Sequence, residues 1–489
     1  MLLPFPVVER KRGIKLFCRR IQEIMTVQKK MHLTSLGCPK NLVDSEIMLG
    51  LLELENYSTV EDPAEAELLL INTCGFIRPA VEEAVDKILE LAEYTQDDPT
   101  KKLVVTGCMV QRYGKELQKE LPEVDIFVGI DEEKNIASLL TERTESIEST
   151  EKRPDTPLLF LHQPSTFLAD SHAPRRLATP FFRSYLKITE GCNNRCTYCM
   201  IPAIRGDLRS RSVQDLLVEA KSLEQKGVKE LSLIAQDLTA YGDDFSDHLV
   251  KCEAKDKKDN LVTLLRQLLA QTDIPWFRLL YLYPSSVSAE LLELMAEQPR
   301  ILPYLDIPFQ HVSDPVLQRM GRRYGQQELE QLISMIRQIL PNCALRTTMM
   351  VGFPGETEDD VHKLLDCLQR WQIDHLGVFP YEAEQGSVAA DFAGQVDKER
   401  GEERFARVMG LQAEISTQQL KQYVGKKEPV LVEGVSQETD LLLEGRTRYQ
   451  APDIDGCVLI NDGTARPGDI LTVEITETHT YDLVGRIIH

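Results

Sequence analysis

The sequence lacks any run of about 18 uninterrupted apolar residues, the length that a membrane-spanning helix needs. It also lacks an excess of positive charge, since its formal net charge is -21 at pH 7. A strongly negative chain binds a polyanion tightly only where a local face is basic, so this charge argues against tRNA as a partner. We therefore expect a cytoplasmic protein with no membrane partner.

Disulfides are not expected either, although the chain has 11 cysteines. No secretory signal is recognisable, and in a reducing compartment cysteines serve as metal ligands or as buried apolar residues. Residues 1–30 carry eight basic and two acidic residues. Such a segment can be a transit peptide, but it lacks serine, and no apolar core with a cleavage site follows. We expect a disordered basic extension, with the folded protein opening at Met31.

At 489 residues the chain exceeds what one hydrophobic core usually serves, and its patterns predict three domains. Residues 31–140 alternate apolar runs with amphipathic stretches, which predicts βα units in an open parallel α/β domain. The proline-rich residues 141–180 lose this periodicity. We interpret them as a linker with a strand at Leu158–Leu161.

The two remaining domains have different patterns. Residues 181–424 contain six predicted βα steps, followed by a long helix over Lys398–Tyr423. Six steps predict a partial (β/α)6 barrel, because a closed barrel of this kind has about eight. Residues 425–489 carry short β-rich runs punctuated by glycine, which predict a small antiparallel β-barrel.

Three cysteines share one short loop after a predicted strand: Cys192, Cys196 and Cys199. Thiolates are natural ligands of iron–sulfur clusters, and three of them leave one iron of a four-iron cube open to chelate a substrate. The alternative is a zinc knuckle, but no fourth Cys or His lies within ten residues on either side. The spacing therefore predicts a [4Fe–4S] cluster.

Three further cysteines each follow a predicted strand of the N-terminal domain: Cys38, Cys74 and Cys108. The carboxyl ends of parallel strands meet at one edge of a sheet, where ligands bind, so distant thiols can converge there. Neighbouring glycines at 37, 75 and 107 allow the backbone to approach a bulky group. The alternative is three separately buried cysteines. Their equivalent positions favour a second three-thiolate cluster.

The other five cysteines show no ligand spacing, and we assign them no function: Cys18, Cys252, Cys343, Cys367 and Cys457.

The CxxxCxxC loop, with Tyr198 before its last cysteine, resembles the signature of the radical S-adenosylmethionine superfamily. That family has a partial (β/α)6 barrel and cleaves S-adenosylmethionine to methionine and a 5′-deoxyadenosyl radical. The resemblance implies that Tyr198 lies near the adenine, and that Gln236, Gln310 and Gly352 at later strand ends border the cofactor. It implies no catalytic residue beyond the cluster ligands.

The order of an auxiliary-cluster domain, a radical barrel and a TRAM-like β-barrel resembles the methylthiotransferase family over residues 31–489. Its members modify either adenosines of tRNA or the β-carbon of an aspartate in the small-subunit ribosomal protein uS12. The stretches Ser35–Glu46, Arg205–Arg211 and Gln236–Gly242 resemble the ribosomal-protein branch. The resemblance implies two [4Fe–4S] clusters, S-adenosylmethionine, uS12 as partner, and an electron donor such as flavodoxin or ferredoxin.

The charge of the C-terminal barrel bears on this choice. Residues 425–489 contain six basic and twelve acidic residues. A barrel that grips RNA needs clustered Lys and Arg, so this balance suits a basic ribosomal protein better than a tRNA. An acidic surface kept for solubility is the alternative. A non-catalytic metal-binding adaptor also stays open, although it would not need the six βα steps of a cofactor-binding barrel.

Overall fold

The structure is a computed structural model that describes residues 28–96, 98, 100–140, 156–163, 165–245 and 259–488. The predicted basic extension lies outside the described residues as far as residue 27. The folded part begins earlier than the predicted Met31, because Lys29 and Lys30 already belong to the first strand. Residues 141–155 of the predicted linker, and with them Cys18 and Cys252 elsewhere in the chain, also lie outside.

The N-terminal domain contains a six-stranded parallel sheet. Its strands are β1 (Lys29–Ser35), β2 (Tyr57–Thr59), β3 (Leu68–Thr73), β4 (Lys102–Gly107), β5 (Ile126–Val128) and β6 (Leu158–Phe160). Their spatial order is β2-β1-β3-β4-β5-β6, with every neighbouring pair parallel. The connections between them include α1 (Pro39–Leu54), α2 (Arg78–Gln96) and α3 (Cys108–Glu120). The open parallel α/β domain is as predicted.

The second half of the predicted linker is an ordered part of the structure. Strand β6 pairs with β5 and so extends the N-terminal sheet. The carboxylate of Asp131 then accepts hydrogen bonds from the backbone N–H groups of Thr166 and Phe167, at 2.9 and 2.7 Å. Further on, Arg175 forms a buried ion pair with Glu46, at 2.6 Å. Polar side chains that bind the backbone replace the periodic apolar pattern here, which is why the sequence suggests only a linker.

The central domain is a parallel sheet curved into a partial barrel. Its six strands are β7 (Arg183–Lys187), β10 (Glu230–Ile234), β11 (Trp276–Leu279), β12 (Ile301–Asp306), β13 (Ala344–Val351) and β14 (His375–Pro380). They lie in the order β14-β13-β12-β11-β10-β7, which leaves β7 and β14 at the two edges. A small antiparallel pair, β8 (Thr189–Glu190) and β9 (Arg209–Ser210), flanks the cysteine loop. The predicted partial (β/α)6 barrel is confirmed.

A short helix, α4 (Ile201–Arg205), follows the cysteine loop and contacts α3 of the N-terminal domain. The other helices cover the outside of this barrel: α5 (Val213–Gln225), α6 (Leu261–Gln271), α7 (Ala289–Glu297), α8 (Asp314–Arg319), α9 (Gln326–Ile339), α10 (Glu358–Trp371) and α11 (Lys398–Lys421). The long predicted helix is α11, which buries Val408 and Ile415 in the central core. Its end packs Leu420 against the C-terminal domain. None of the described helices is both long enough and apolar enough to cross a membrane.

The C-terminal domain is a closed five-stranded barrel, as predicted. Its strands are β15 (Lys427–Val435), β16 (Leu443–Thr447), β17 (Val458–Asp462), β18 (Ile470–Thr478) and β19 (Leu483–Ile487). They close in the order β15-β16-β17-β19-β18. The barrel is not wholly antiparallel, because β17 and β19 pair in parallel. The chain reverses its direction at β18 and again at β19, so that β17 and β19 point the same way.

The C-terminal barrel packs against the amino end of the central one. Glu230, the first residue of β10, forms a buried ion pair with Arg446 at 2.7 Å. Tyr304 inside the central barrel donates a hydrogen bond to Asp455, at 2.7 Å. These contacts close the amino end of the central barrel, so its carboxyl end is left to face the N-terminal domain.

Candidate active site

A cavity of about 360 Å³ lies where the carboxyl edge of the N-terminal sheet meets the carboxyl end of the central barrel. All six cysteines that were predicted to hold clusters line it: Cys38, Cys74, Cys108, Cys192, Cys196 and Cys199. Its volume lies within the range of small-molecule sites, about 300–1,000 Å³. Two sets of thiols that are far apart in the sequence thus face one space.

The N-terminal thiols converge because three strand ends pack tightly against each other. Cys38 immediately precedes α1, Cys74 follows β3, and Cys108 opens α3 directly after β4. Gly37 has φ +93°, and a Cβ there would lie 2.8 Å from the Cβ of Cys74. At Gly107, with φ +101°, a Cβ would lie 2.5 Å from a backbone oxygen of the neighbouring strand. The glycines therefore let the strand ends approach each other, and not only a ligand as the sequence suggested.

The other three thiols are held by local backbone contacts. The N–H of Cys192 donates to the carbonyl oxygen of Gly206 at 3.1 Å, and the N–H of Cys199 donates to that of Cys196 at 3.1 Å. The N–H of Ile201 points at the sulfur of Cys199, at 3.4 Å. These contacts fold the loop so that its sulfurs face the cavity.

Burial keeps several of these thiols protonated in the protein alone. It raises the pKa of Cys108 and of Cys199 to about 12, and it also raises the pKa of Cys74 and Cys192. Two guanidinium groups act in the opposite direction. Arg205, 3.3 Å from the sulfur of Cys108, opposes the rise in the pKa of that thiol, and Arg322 opposes the rise in the pKa of Cys199. A metal centre displaces such protons on binding, since thiolates are its ligands.

The donor set fits iron–sulfur clusters in its chemistry. Two groups of three free thiols face the same cavity, and each group leaves a fourth position open. Among the described residues, no three His, Cys, Asp or Glu side chains converge closely enough to hold a single metal ion. A cube of four irons and four sulfides is wider than a single ion, so its ligands stand further apart. The arrangement therefore suits a cluster better than a zinc ion.

A buried ion network ties the two domains together behind the cavity. Arg205 of the central domain bonds to Asp44 of the N-terminal domain at 3.0 Å and to Glu190 at 2.9 Å. Lys187 forms ion pairs with the same two carboxylates. All four side chains are at most 2% exposed. Such a network adds little to the free energy of unfolding, because burying the charges is costly. Removing one member is strongly destabilising, because it leaves a buried charge unpaired.

The structure brings three of the four predicted cofactor-binding residues to the cavity. Tyr198, Gln236 and Gln310 line it, and Tyr198 packs edge-on against Phe353 with the ring centroids 6.4 Å apart. Gln236 donates to Glu190 at 3.0 Å, while its own carbonyl oxygen is buried and finds no partner among the described residues. Gly352 does not reach the cavity, since it lines a separate hollow near Pro380 and Gly401.

Several residues of the cavity wall were not singled out from the sequence. They are Lys40, Asn41, Arg205, Tyr281, Arg322 and Thr348. Lys40 and Arg205 lie within the stretches that resemble the family, so the sequence marked these positions but did not indicate what the two side chains do. Tyr281 sits at the end of a predicted strand, but its φ of +66° is a property of the fold and leaves no mark in the sequence.

Sequence profiles of three known families match this chain, each on one domain. Residues 30–129 match the uncharacterized protein family UPF0004, residues 186–368 match the Radical SAM superfamily, and residues 424–488 match the TRAM domain.

Curated relatives match over nearly the whole chain. The ribosomal protein uS12 methylthiotransferase RimO of Desulfotalea psychrophila is 52% identical, over 94% of this chain and 99% of that protein. The protein of the same name from Citrifermentans bemidjiense is 45% identical, with the same coverage. Among solved structures, the radical S-adenosylmethionine methyltransferase TsrM from Kitasatospora setae has a TM-score of 0.50 at 17% identity, over 72% of each chain. This last likeness shows a shared fold.

The family of the curated relatives and the matched superfamily agree with the two sets of cysteine thiols and with the partial barrel of the central domain. The chain is a transferase that uses S-adenosylmethionine and iron–sulfur chemistry. It belongs to the RimO family of methylthiotransferases, within the radical S-adenosylmethionine superfamily.

Proposed function

We propose that this protein attaches a methylthio group to the β-carbon of an aspartate in ribosomal protein uS12. The observation that carries the proposal is the convergence of two sets of three thiols on one cavity. Methylthio transfer needs a carbon radical and a sulfur donor close together, and one cavity lined by both sets allows this. The relatives' name supplies the substrate.

In this proposal Cys192, Cys196 and Cys199 hold one [4Fe–4S] cluster, and Cys38, Cys74 and Cys108 hold a second. When bound, the first supplies the electron that splits S-adenosylmethionine to a radical, and the second carries the sulfur that is transferred.

The chain's own residues orient these ligands and shape the cavity. Asn41 accepts from Arg205 at 2.6 Å and lies 3.4 Å from the sulfur of Cys108, so it fixes this thiol from the side of α1. Asn194 donates to Asp237 at 2.7 Å, which ties the cysteine loop to the loop after β10. The half-buried ring of Tyr198 lines the cavity and packs against Phe353, so it offers an apolar surface to the adenine of the cofactor.

The C-terminal barrel gives less support to this substrate than its composition suggests. Over residues 425–488, all of which the structure describes, the exposed side chains include five acidic and four basic ones: Glu438, Asp440, Asp453, Asp462, Glu477, Lys426, Lys427, Arg466 and Arg486. Other acids are used inside the protein, as Asp455 is. The exposed charge is therefore close to balanced, and the choice of uS12 rests on the family.

The domain boundaries at residues 140, 180 and 424 are part of the proposal. The matched segments support the assignment of the three domains. The boundary at residue 140 is too early for the N-terminal sheet, since β6 pairs with β5. A flavodoxin or ferredoxin as electron donor, and a cytoplasmic location, stay predictions.

Mass spectrometry of ribosomal proteins and of total tRNA from cells that lack the gene tests this function. We expect uS12 to lose the mass of one methylthio group while tRNA keeps its modifications. A plasmid carrying the wild-type gene should restore the mass, and so should Cys457→Ala, since this thiol lies in the C-terminal barrel and away from the cavity. Cys196→Ala should not restore it. Loss of a methylthio group from tRNA, with uS12 unchanged, would place the protein in the other branch of the family.

A further inference from the structure

Lys40 is a buried cation on the wall of the active-site cavity. Its side chain lines the cavity beside Cys38 and Asn41, and the residue is 7% exposed. Within the described part of the chain, no carboxylate forms an ion pair with its ammonium group and no acceptor receives a hydrogen bond from it. Its ammonium nitrogen lies 3.2 Å from the centre of the Tyr281 ring. The aromatic face attracts the charge but does not neutralise it.

The other two cations of the cavity wall are already satisfied. Arg205 is paired with Asp44 and Glu190. Arg322 donates to the hydroxyl of Tyr324 at 2.6 Å and to the carbonyl oxygen of Pro308 at 2.7 Å. Of the described residues that line the cavity, Lys40 is therefore the cation with neither an ion pair nor a hydrogen-bond acceptor. The ligand thiolate of Cys38 lies close enough to favour its charge but accepts no hydrogen bond from it. Burial of an ammonium group without an acceptor is costly, so its position indicates a further anion that binds in the cavity.

The Tyr281 ring next to the Lys40 ammonium group is held in a fixed position. Tyr281 adopts φ +66°, and its N–H donates to Asp306 at 3.1 Å. Asp306 is buried and is fixed by Arg346, at 2.9 Å. A non-glycine residue keeps such a conformation only where its surroundings enforce it. The ring, and with it the position of the ammonium group, is thus set by the central barrel.

We propose that Lys40 binds the side-chain carboxylate of the substrate aspartate. The proposal rests on the function proposed above and adds the residue that selects the substrate. The carboxylate carbon is bonded directly to the β-carbon, so an anchored carboxylate keeps the reacting carbon in the cavity that both thiol sets line. An adenosine base has no carboxylate, so an unpaired buried ammonium also disfavours the substrate of the other branch.

The test compares two synthetic peptides with the uS12 sequence around the modified aspartate, one with Asp and one with Asn at that position. Binding is measured to the reconstituted enzyme with S-adenosylmethionine and without reductant, so that no turnover occurs. A charge-assisted hydrogen bond should make the wild type prefer the Asp peptide by about tenfold or more. Lys40→Met should reduce this preference to about twofold or less, since the remaining contacts are alike for both peptides. The matched control is Lys115→Met, which removes an exposed lysine of the same domain and should keep the preference.

Two results would overturn the proposal. Equal affinity of the wild type for both peptides would do so without any variant, and hence whether or not Lys40→Met folds. A variant that keeps the Asp preference but binds S-adenosylmethionine more weakly would assign Lys40 to the cofactor instead. Failure of the proposed function looks different, because the wild type with reductant would then leave the Asp peptide without a methylthio group, and the role of Lys40 would fall with it.

Discussion

The two sets of thiols meet in one cavity but are built in different ways. Cys192, Cys196 and Cys199 lie within eight residues of each other, and backbone hydrogen bonds within and beside the loop orient them. The N-terminal set spans 71 residues, and its members come from three separate strand ends. The loop is thus a local structure, whereas the N-terminal set exists only when the whole sheet has folded and docked.

This difference means that the two sets should respond differently to changes outside the cysteines. Cys108 depends on Asn41 of another strand connection and on Arg205 of another domain. The loop depends mainly on its own turns and on a contact from Thr197 to the carbonyl oxygen of Met320. Perturbations of packing should therefore reach the N-terminal set first.

The largest effect is expected from Arg205→Met. This change leaves the carboxylates of Asp44 and Glu190 buried with one cation fewer, which should cost about 3–5 kcal/mol. We expect a clearly lower thermal unfolding midpoint and a loss of iron from the N-terminal set before the loop. Arg78→Met is the control, because its partner Glu82 is exposed and such a pair contributes little to stability. Equal stability of the two variants would contradict the role of the network.

A second change acts on the backbone of the N-terminal set. Gly107→Ala places a Cβ 2.2 Å from the side-chain oxygen of Asn72 at a φ of +101°, and the strain should cost about 1–3 kcal/mol. We expect a fall in iron bound by the N-terminal set, with the formation of 5′-deoxyadenosine kept. Gly410→Ala is the matched control in α11, where nothing lies within 4 Å of the added atom. There the protein should be as stable as the wild type or slightly more stable.

The stability of the protein should depend on pH through a buried carboxyl group of the N-terminal domain. Burial and the nearby Asp44 raise the pKa of Glu133, behind β4, from 4.5 to about 8. The folded protein therefore holds a proton that the unfolded chain releases above about pH 4.5, so stability from this group falls as the pH rises from about 4.5 to 8. Glu133→Gln should remove this dependence, with a gain over the wild type of about 1–2 kcal/mol at pH 8.

Unfolding curves of the wild type and Glu133→Gln at pH 5 and pH 8 measure the effect. The two proteins should differ less at pH 5 than at pH 8. Glu93→Gln is a suitable control, because Glu93 is an exposed residue of α2. A wild type whose stability rises between these pH values relative to the variant would contradict the assignment.

The smallest effect is expected far from both sets. Reversing the charges of Glu438, Asp440 and Asp462 together should leave the iron content unchanged, since these exposed residues lie on the C-terminal barrel. Because exposed charges are screened at physiological salt, we expect the rate of uS12 modification to change by less than about threefold. A much larger loss would show that the barrel surface itself contacts the substrate.

How much of this site was predictable follows from the same contrast. The cysteine loop is a contiguous pattern, so its chemistry can be derived from spacing alone. The N-terminal set could be predicted because each cysteine follows an apolar strand, and parallel strands end at one edge. Tyr281 and Arg322 could not, because their roles come from a φ angle and from contacts between distant strands.

The fold shows the same limits. A long periodic element such as α11 matches its predicted bounds closely, whereas β2 and β5 have only three residues each, too few to show a period. The residues after 155 looked like a linker because their order comes from polar contacts to Asp131 and Glu46. The acidity of the C-terminal barrel was correctly counted, but seven of its twelve acidic residues are half-buried or buried, so acids and bases are nearly equal in number among the fully exposed side chains.

The iron content of two triple variants tests the central claim most directly. After anaerobic reconstitution, the wild type should hold about eight irons per chain, and each triple Cys→Ala variant, at 38/74/108 or at 192/196/199, about four. The first variant should still form 5′-deoxyadenosine but transfer no methylthio group, and the second should form none. An iron content that the change at 38/74/108 leaves untouched would contradict the second cluster, and with it the account of the shared cavity.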